Sequence, residues 1–585
     1  MRLSTEREGQ RAAEEEDAIA RAIETIRVAL DGGVRLLDTA HAYGRDDADA
    51  GHNERLVARA VRESGVVRAQ VRIVTKARMR RPDGGWVPDG RAKAIEEDVR
   101  ASRDALDGAA LDVLLLHAID PRTPLSTSVR ALARALDRGD ARAIGVSNVT
   151  RTQLEEALRV APITCVQVAL GAHDDSSARG GLVQLCADRG IEVLAHSPLG
   201  GPQRAARLSR DRTIAAIARD VGVDTIELVI AYLSRVHPAV VPLVGVRRVE
   251  SARGLIAASR LALPEETLVR LDARFPALGA LRRPVARTTP TSDREVVVLM
   301  GLPGAGKSRL SHELSARGHE RLNRDERGGT LGGLARALEK RLVEGATSLV
   351  LDGTYVTRAV RNDAIVAAQR HGARVRCVHV DTPLAEAQIN VVTRMLERHG
   401  RLLEPDELVA AQAAGEVNLV RPSVLFRMAR SLEPPSMDEG FDQVDVVPFV
   451  RAHDADATRA GALIALDAAM GDEGASIVAR SPAGAACLLY AWKPDATDDW
   501  LEHARAHATR LAAQTDRTIE VAVCRHAGGP PTCWCRPPLP GLWLAFARRH
   551  RIHPARSVAI GDSAGTRGLA RALGLAHLVV DLASR

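Results

Sequence analysis

Aromatic residues are scarce in this chain of 585 residues: Phe, Tyr and Trp together make up 2%. Its cores must therefore be filled by Ala, Val and Leu, and each ring that does occur becomes informative, the four tyrosines being Tyr43, Tyr232, Tyr355 and Tyr490. No uninterrupted apolar run is long enough to cross a bilayer. The segment Met1 to Asp17 is polar and charged, without the apolar heart of a signal peptide, so a cytoplasmic location away from membranes is expected. Cysteines number seven, too few for a disulfide scaffold; Cys165, Cys186, Cys377 and Cys487 stand singly in apolar stretches and read as small buried residues. Only Cys524, Cys533 and Cys535 cluster. Concentrated lysine blocks are absent too, so the net charge of +7 is spread thinly and gives little reason to expect a nucleic-acid coat. No fixed-period repeat is found, which excludes a solenoid.

What is present is ordinary globular material, 45% hydrophobic and 26% charged, in a length that calls for two to four domains. Over residues 1–275, short β-branched or leucine-rich runs alternate with helical stretches, the pattern of βα units around a parallel sheet. Strands are expected at Val34 to Thr39, Val71 to Thr75, Leu111 to Leu116, Ala143 to Val146, Cys165 to Ala169, Ile191 to Ala195 and Val240 to Val244. Polar residues near the C-terminal ends of these runs (Asp38, Lys76, His117, Asn148, Gln167, Ser197) sit where a (β/α)8 TIM barrel places its active site. An eighth strand should precede the first, yet only MRLS stands there, so the expectation is a truncated start with Met1 to Ser4 as the tail of that strand.

Residues 276–293, rich in Pro, Arg and Ser/Thr, read as a linker. A second α/β domain follows over 294–452, with strands expected at Glu295 to Met300, Leu349 to Leu351, Val375 to Val380 and Val444 to Phe449. A smaller α/β unit occupies 460–585, with strands at Val558 to Ile560 and His577 to Val580.

In the first domain LLDTAHAYG, IVTKA and LDVLLLH supply a carboxylate, a phenol, an ammonium and an imidazole. Reduction of a carbonyl needs a proton donor on the oxygen as charge builds there. Tyr43 can be that donor with the cation of Lys76 beside it, Asp38 holding Lys76 in an ion pair and His117 positioning the carbonyl by a hydrogen bond. These motifs, together with GVSN, VQVAL, AHSPLGG and PLVGVRR, strongly resemble the aldo-keto reductase superfamily. The resemblance implies NADP(H) as cofactor and a small carbonyl substrate. Ser147, Asn148 and Gln167 would bind the nicotinamide carboxamide, Ser197 and Leu199 would touch the pyrophosphate, and Arg247 or Arg248 the 2′-phosphate. His196 stands where the family usually stacks an aromatic ring on the nicotinamide.

Gly301 to Ser308 reads GLPGAGKS, a P-loop between a strand and a helix. Backbone N–H groups of a loop opened by Gly301, Gly304 and Gly306 would cradle the phosphates of ATP, Lys307 would reach its β- and γ-phosphates, and Ser308 would ligate Mg²⁺. Asp325 in LNRDER and Asp352 in LDGTY should face the nucleotide. This segment resembles the kinase domain of polynucleotide kinase/phosphatase enzymes, which implies Asp325 as general base and Arg394, with Arg398 second, as the lid arginine. The arginine that the family carries after Asn-Arg-Asp is out of register, Arg327 being nearest. A polynucleotide 5′-hydroxyl and a small alcohol both stay open as acceptor.

Cys524, His526, Cys533 and Cys535 offer three thiolates and an imidazole, a closed tetrahedral set for a structural Zn²⁺. The terminal unit resembles the zinc-loop branch of haloacid dehalogenase-like phosphatases. Against that pattern Asp467 is followed by Ala469 instead of a second Asp, Pro537 replaces a lysine, and Thr566 stands where an acid is usual although Asp562 is kept; loss of phosphatase activity is expected. The whole reads as a carbonyl reductase fused to an ATP-dependent kinase, the alternative being a nucleic-acid end-repair kinase whose barrel is an NADP(H)-binding sensor.

Overall fold

The computed structural model describes residues 12–284, 289–417, 419–451 and 456–580. Two compact units emerge, the first drawn from Met1–Arg287 and Arg358–Asn362, the second from Thr288–Thr357 and Asp363–Arg585. Among the described residues no helix is long and apolar enough to cross a membrane.

The first unit is a barrel-like α/β fold. Its parallel sheet is made of β1 (Leu36–Asp38), β2 (Arg72–Ala77), β3 (Val113–Leu116), β4 (Ile144–Ser147), β5 (Cys165–Ala169), β6 (Glu192–His196) and β7 (Val240–Leu243). Each pairs in parallel with its successor, so the sheet order is the chain order. That is the outcome of repeated βα crossovers of one hand, each laying the next strand beside the last. Strand alternation sorts the apolar residues into two layers. Val113 and Leu115 join Val74, Cys165 and Leu194 in one cluster, while Leu114 and Leu116 join the larger core under the helices. Close packing of the inner layer fixes Gly145, where a Cβ would meet the Cys165 carbonyl oxygen at 2.1 Å.

The seven expected strands are present, each end within two residues of its expected place. The eighth, assigned to Met1–Ser4, lies outside the described residues; the first described element is the helix Ala12–Asp31, which buries Ile23, Ile26 and Leu30. One expectation is corrected: the supposed linker opens with a helix, Pro276–Arg282, that buries Leu278 and Leu281. Proline at its first position is tolerated there, and Arg282 is anchored on Asp272.

The second unit holds two five-stranded parallel sheets. The first contains β8 (Glu295–Met300), β9 (Glu320–Asn323), β10 (Ser348–Asp352), β11 (Arg374–Asp381) and β12 (Gln443–Pro448) in the order β9-β10-β8-β11-β12. The other contains β13 (Gly461–Ala465), β14 (Ala486–Trp492), β15 (Thr518–Cys524), β16 (Val558–Ile560) and β17 (Ala576–Leu578) in the order β15-β14-β13-β16-β17. In each, the chain first builds the sheet on one side of β8 or β13 (β9 and β10, or β14 and β15) and then crosses to the other side (β11 and β12, or β16 and β17), and such a switch point opens a crevice at the strands' C-terminal ends. The glycine-rich loop follows β8, and Asp467 lies just beyond β13.

Candidate functional site

At the C-terminal rim of the barrel, β1 ends on Asp38 and β2 carries Lys76 as its fifth residue. The chain after β1 turns on a hydrogen bond from the Tyr43 N–H to the Ala40 carbonyl, 3.0 Å, which brings the phenol back over β2. Lys76 Nζ then donates to Asp38 Oδ1 and Oδ2 at 2.7 and 2.9 Å, to the Thr39 carbonyl at 2.7 Å and to Tyr43 Oη at 3.2 Å. The ammonium is 1% exposed, so it survives burial only through these acceptors. Burial presses its pKa down, but the Asp38 carboxylate and the Tyr43 oxygen outweigh that and hold it above the ordinary lysine value. Burial acts on Asp38 in the opposite sense, raising it; Lys76 overcomes this and the carboxyl stays below its usual range. His117, the first residue past β3, sets its ring edge-on to Tyr43, centroids 5.7 Å apart. All four residues of the expected tetrad thus converge.

The residues expected to hold the cofactor ring this centre. Asn148 and Ser197 are the first residues past β4 and β6, and both have positive φ (57° and 54°), marking sharp turns at the rim. Asn148 donates to the His117 carbonyl (2.9 Å) and to Ser147 Oγ (3.2 Å). His196, in the place of the stacking ring, is bracketed by Asn148 Oδ1 at 3.0 Å and Ser197 Oγ at 3.1 Å. Gln167 Nε2 donates to Asp38 Oδ1 at 2.7 Å, adding a neutral donor to the tetrad's carboxylate. Leu199 is half-buried, and Arg247 and Arg248 are exposed immediately before the helix Val249–Arg260, where a helix N-terminus and two guanidiniums suit a phosphate. Sequence reading missed Trp86, which lies edge-on to both Tyr43 (6.4 Å) and His117 (5.9 Å) with the Arg81 guanidinium over its ring at 3.9 Å. Its only signal was rarity, one of five tryptophans.

In the second unit Gly301, Gly304 and Gly306 have φ of 152°, 85° and 96°. A Cβ on Gly304 would stand 2.5 Å from the Ala387 carbonyl oxygen, so the close approach of the loop to the helix Leu384–His399 admits only glycine. Lys307 Nζ donates to the carbonyls of Gly301 (2.9 Å) and Leu302 (2.8 Å). Burial pushes its pKa down to about 8, with Asp352 opposing and Arg394 adding to the shift. The loop borders a cavity of about 540 Å³ that also takes in Ser308, Asp325, Asp352 and Arg394. Asp352 Oδ2 accepts from Ser311 Oγ (2.9 Å), Asn323 Nδ2 (2.9 Å) and Arg321 Nη2 (2.7 Å). Asn323 also caps the turn bearing Asp325, accepting from Glu326 N–H at 2.9 Å, and Arg324 pairs with Asp325. Arg321 is the cation that the sequence reading missed here; Arg327 is exposed and lies off the cavity wall, and Arg398 is held by Glu416 at 3.0 Å.

In the terminal part, Cys524, His526, Cys533 and Cys535 place their four donor atoms within 4.8 Å of one another. Asp467 is exposed, and Thr566 is buried against Tyr490 Oη at 2.6 Å and Ser563 Oγ at 2.8 Å.

Residues 9–274 match the Aldo/keto reductase family and residues 296–417 an AAA domain. Pyridoxine 4-dehydrogenase of Escherichia coli is 30% identical over 262 residues, spanning 43% of this chain and 85% of that protein. This chain belongs to the aldo/keto reductase family. Aldo-keto reductase YhdN of Bacillus subtilis is 35% identical over 145 residues, 25% of this chain and 42% of that one. Among solved structures, an aldo/keto reductase from Klebsiella pneumoniae in complex with NADP and acetate is 25% identical, covering 47% of this chain and 90% of that one with a TM-score of 0.39. The aldo/keto reductase barrel is thus fused to a P-loop domain within one chain.

Proposed function

We propose that the barrel reduces aldehydes or ketones with NADPH, and that the P-loop domain transfers the γ-phosphate of ATP to a hydroxyl of a polynucleotide or small molecule, in a cytoplasmic enzyme without membrane contact. The reading of the barrel rests above all on the 3.2 Å contact between Lys76 Nζ and Tyr43 Oη, with Lys76 tied down by Asp38 and Thr39. A bound nicotinamide cofactor would supply hydride to the carbonyl carbon; Ser147, Asn148, His196, Ser197 and Leu199 would hold it, with Arg247 and Arg248 on its 2′-phosphate. Tyr43 gives its phenolic proton to the carbonyl oxygen, Lys76 stabilises the phenolate left behind, and Asp38 with Gln167 keeps Lys76 in place. His117 orients the carbonyl oxygen toward Tyr43. Trp86 forms an apolar wall over the reacting group. The direct test is NADPH oxidation by the full-length chain with a panel of aldehydes. Turnover that vanishes in Tyr43→Phe supports the reading; NADPH binding without turnover by any aldehyde replaces it with a sensor barrel.

For the second unit, the positive-φ glycine loop, the buried Lys307 and the convergence of Asp325, Asp352, Ser308 and Arg394 on one cavity support ATP with Mg²⁺ at Ser308. Asp325 would accept the acceptor's proton, and Arg394 and Arg321 would neutralise charge on the transferred group. Phosphorylation of a 5′-hydroxyl oligonucleotide that weakens steeply with salt would favour nucleic acid as partner; transfer to small alcohols alone would exclude it. In the terminal part the sheet order and the Cys/His set support a haloacid dehalogenase-like fold with a structural Zn²⁺. The single acid Asp467 and the Thr566 hydroxyl engaged by Tyr490 support loss of phosphatase chemistry there.

A further inference from the structure

The Cys/His cluster of the terminal part is tied to the P-loop domain. The Cys533–Cys535 turn drives the Trp534 side chain out of the terminal fold and into the core of the P-loop domain. Trp534 is fully buried there, packed with Leu302 of the glycine-rich loop and with Leu403, Leu408, Leu419 and Leu425. Its indole N–H donates to the Val420 carbonyl at 2.9 Å. Val420 and its neighbours Leu419 and Val424 line the cavity of about 540 Å³ that Lys307 also borders, together with Gln412 at the end of the helix Pro405–Ala413.

A second tie begins at the cluster itself. His526 turns Nδ1 toward the sulfurs of Cys524 (3.4 Å) and Cys535 (3.2 Å), and Nε2 meets Glu404 Oε2 at 2.7 Å. Glu404 is the N-cap of the helix Pro405–Ala413, its N–H donating to Glu407 Oε2 at 2.8 Å. One residue therefore starts the helix that leads to the cavity wall and, through its carboxylate, orients the imidazole of the cluster, as carboxylates behind metal-bound histidines do. A third tie lies farther off: Arg451 bridges Glu386 (2.7 and 2.8 Å), in the first turn of the helix that carries Arg394, to the Ala572 and Leu573 carbonyls (3.0 and 3.2 Å).

We propose that the Cys524/His526/Cys533/Cys535 cluster is a metal-held clasp that sets one wall of the P-loop cavity, with Trp534 and Glu404 as positioning residues acting through Val420 and the helix Pro405–Ala413. The functional part of this inference rests on the reading of that cavity as the ATP site. A thiolate-rich set selects a soft or borderline divalent ion, and three sulfurs with one imidazole fit zinc. Without an ion, three sulfurs and an imidazole packed within 4.8 Å repel as thiolates or lose solvation as thiols, so the turn that aims Trp534 relaxes. The cavity wall then loses its support although no residue of the nucleotide site has changed.

The test uses the full-length chain, zinc-loaded, chelated and reloaded, alongside Cys535→Ser, Glu404→Gln and the mild variant Trp534→Phe, which keeps the ring but removes the indole donor. Three quantities are read: zinc per chain, hydrogen exchange of peptides covering 405–431, and the dissociation constant of a fluorescent ATP analogue. Chelation and Cys535→Ser should lose zinc, speed exchange over 405–431 while β8 and the barrel strands are unchanged, and weaken the analogue about 10-fold. Trp534→Phe should keep its zinc and weaken the analogue about 3-fold; Glu404→Gln should lower zinc affinity and speed exchange over 405–413. The clasp is overturned if the chain takes up no zinc, or if exchange over 405–431 is the same with and without it. Failure of the ATP reading looks different: zinc-dependent protection of 405–431 in a chain that binds no nucleotide leaves the clasp standing and removes only its purpose.

Discussion

Two of the five lysines in this chain are buried at its two candidate active sites, and they are held in opposite ways. Lys76 meets a full carboxylate, a carbonyl and a phenol; Lys307 meets two neutral carbonyls. Burial works against the charge at both. In the barrel Asp38 and Tyr43 overcome it and the pKa rises, whereas in the P-loop it prevails and the pKa falls to about 8. The barrel site is electrostatically complete by itself, as suits the phenolate-stabilising role proposed for Lys76. In the P-loop Lys307 is held by carbonyls instead of a carboxylate, an arrangement that the proposed polyphosphate would complete.

The largest effects should separate the two lysines by activity. Lys76→Met is expected to cut kcat/KM for carbonyl reduction about 10³-fold while leaving phosphoryl transfer within a factor of two, in keeping with the usual weight of a general acid's partner. Lys307→Met should cut phosphoryl transfer by a similar factor of about 10³ and leave reduction alone. Steady-state assays of both reactions on both variants check this, and a cross-effect on the other reaction would mean the sites are coupled.

Stability comes next and sharpens the contrast. Asp38→Asn leaves Lys76 as a buried cation without its counter-ion and should cost about 3 kcal/mol, read as an earlier barrel transition in a denaturant melt. Lys307→Met removes a buried cation that no carboxylate balances directly and should change stability by less than about 1 kcal/mol, in the stabilising direction. Equal losses in the two variants would erase the distinction drawn between the sites.

Much of this was legible before any coordinates, and the reasons differ by site. Asp38, Lys76 and His117 are polar residues terminating apolar strands, an anomaly that periodicity exposes, and GLPGAGKS is a local motif whose geometry is fixed by its glycines. Trp86 and Arg321 were not read because they lie in a loop and on a short strand, and matter only through what they face across the fold. The Gln167 amide also reaches Asp38, 129 residues away in sequence, and no spacing rule carries that. Strands β13 to β15 went unread because alanine-rich apolar runs such as GALIA do not distinguish a buried strand from a helix. The Glu404–His526 and Trp534–Val420 ties span more than a hundred residues each. Only the fold could reveal them.

The pH dependence of nucleotide binding tests the incomplete site more finely. A triphosphate favours the charged form of Lys307, so binding should raise its pKa from about 8. Well below that value the lysine is already protonated and binding takes up no proton; near pH 9 it should take up close to one, and affinity should fall about tenfold per unit as pH rises further. Calorimetry in buffers of different ionisation enthalpy reads the uptake directly, and uptake that persists in Lys307→Met would assign it to another group.

The smallest effect belongs to the barrel rim. His196 replaces the aromatic ring that stacks on the cofactor in many relatives of the barrel's sequence pattern, and it is instead tethered edgewise by Asn148 and Ser197. His196→Phe should restore an apolar stacking face at the loss of one partly exposed hydrogen bond to each neighbour. Stacking gains of about 1 kcal/mol exceed the net value of such exposed bonds, so NADPH should bind about threefold more tightly, with kcat changed by less than a factor of two. Weaker binding in that variant would instead make the His196 tether to Asn148 the feature that orients the carboxamide site, and would show that this barrel, unlike its P-loop partner, is organised around hydrogen bonds already made before the ligand arrives.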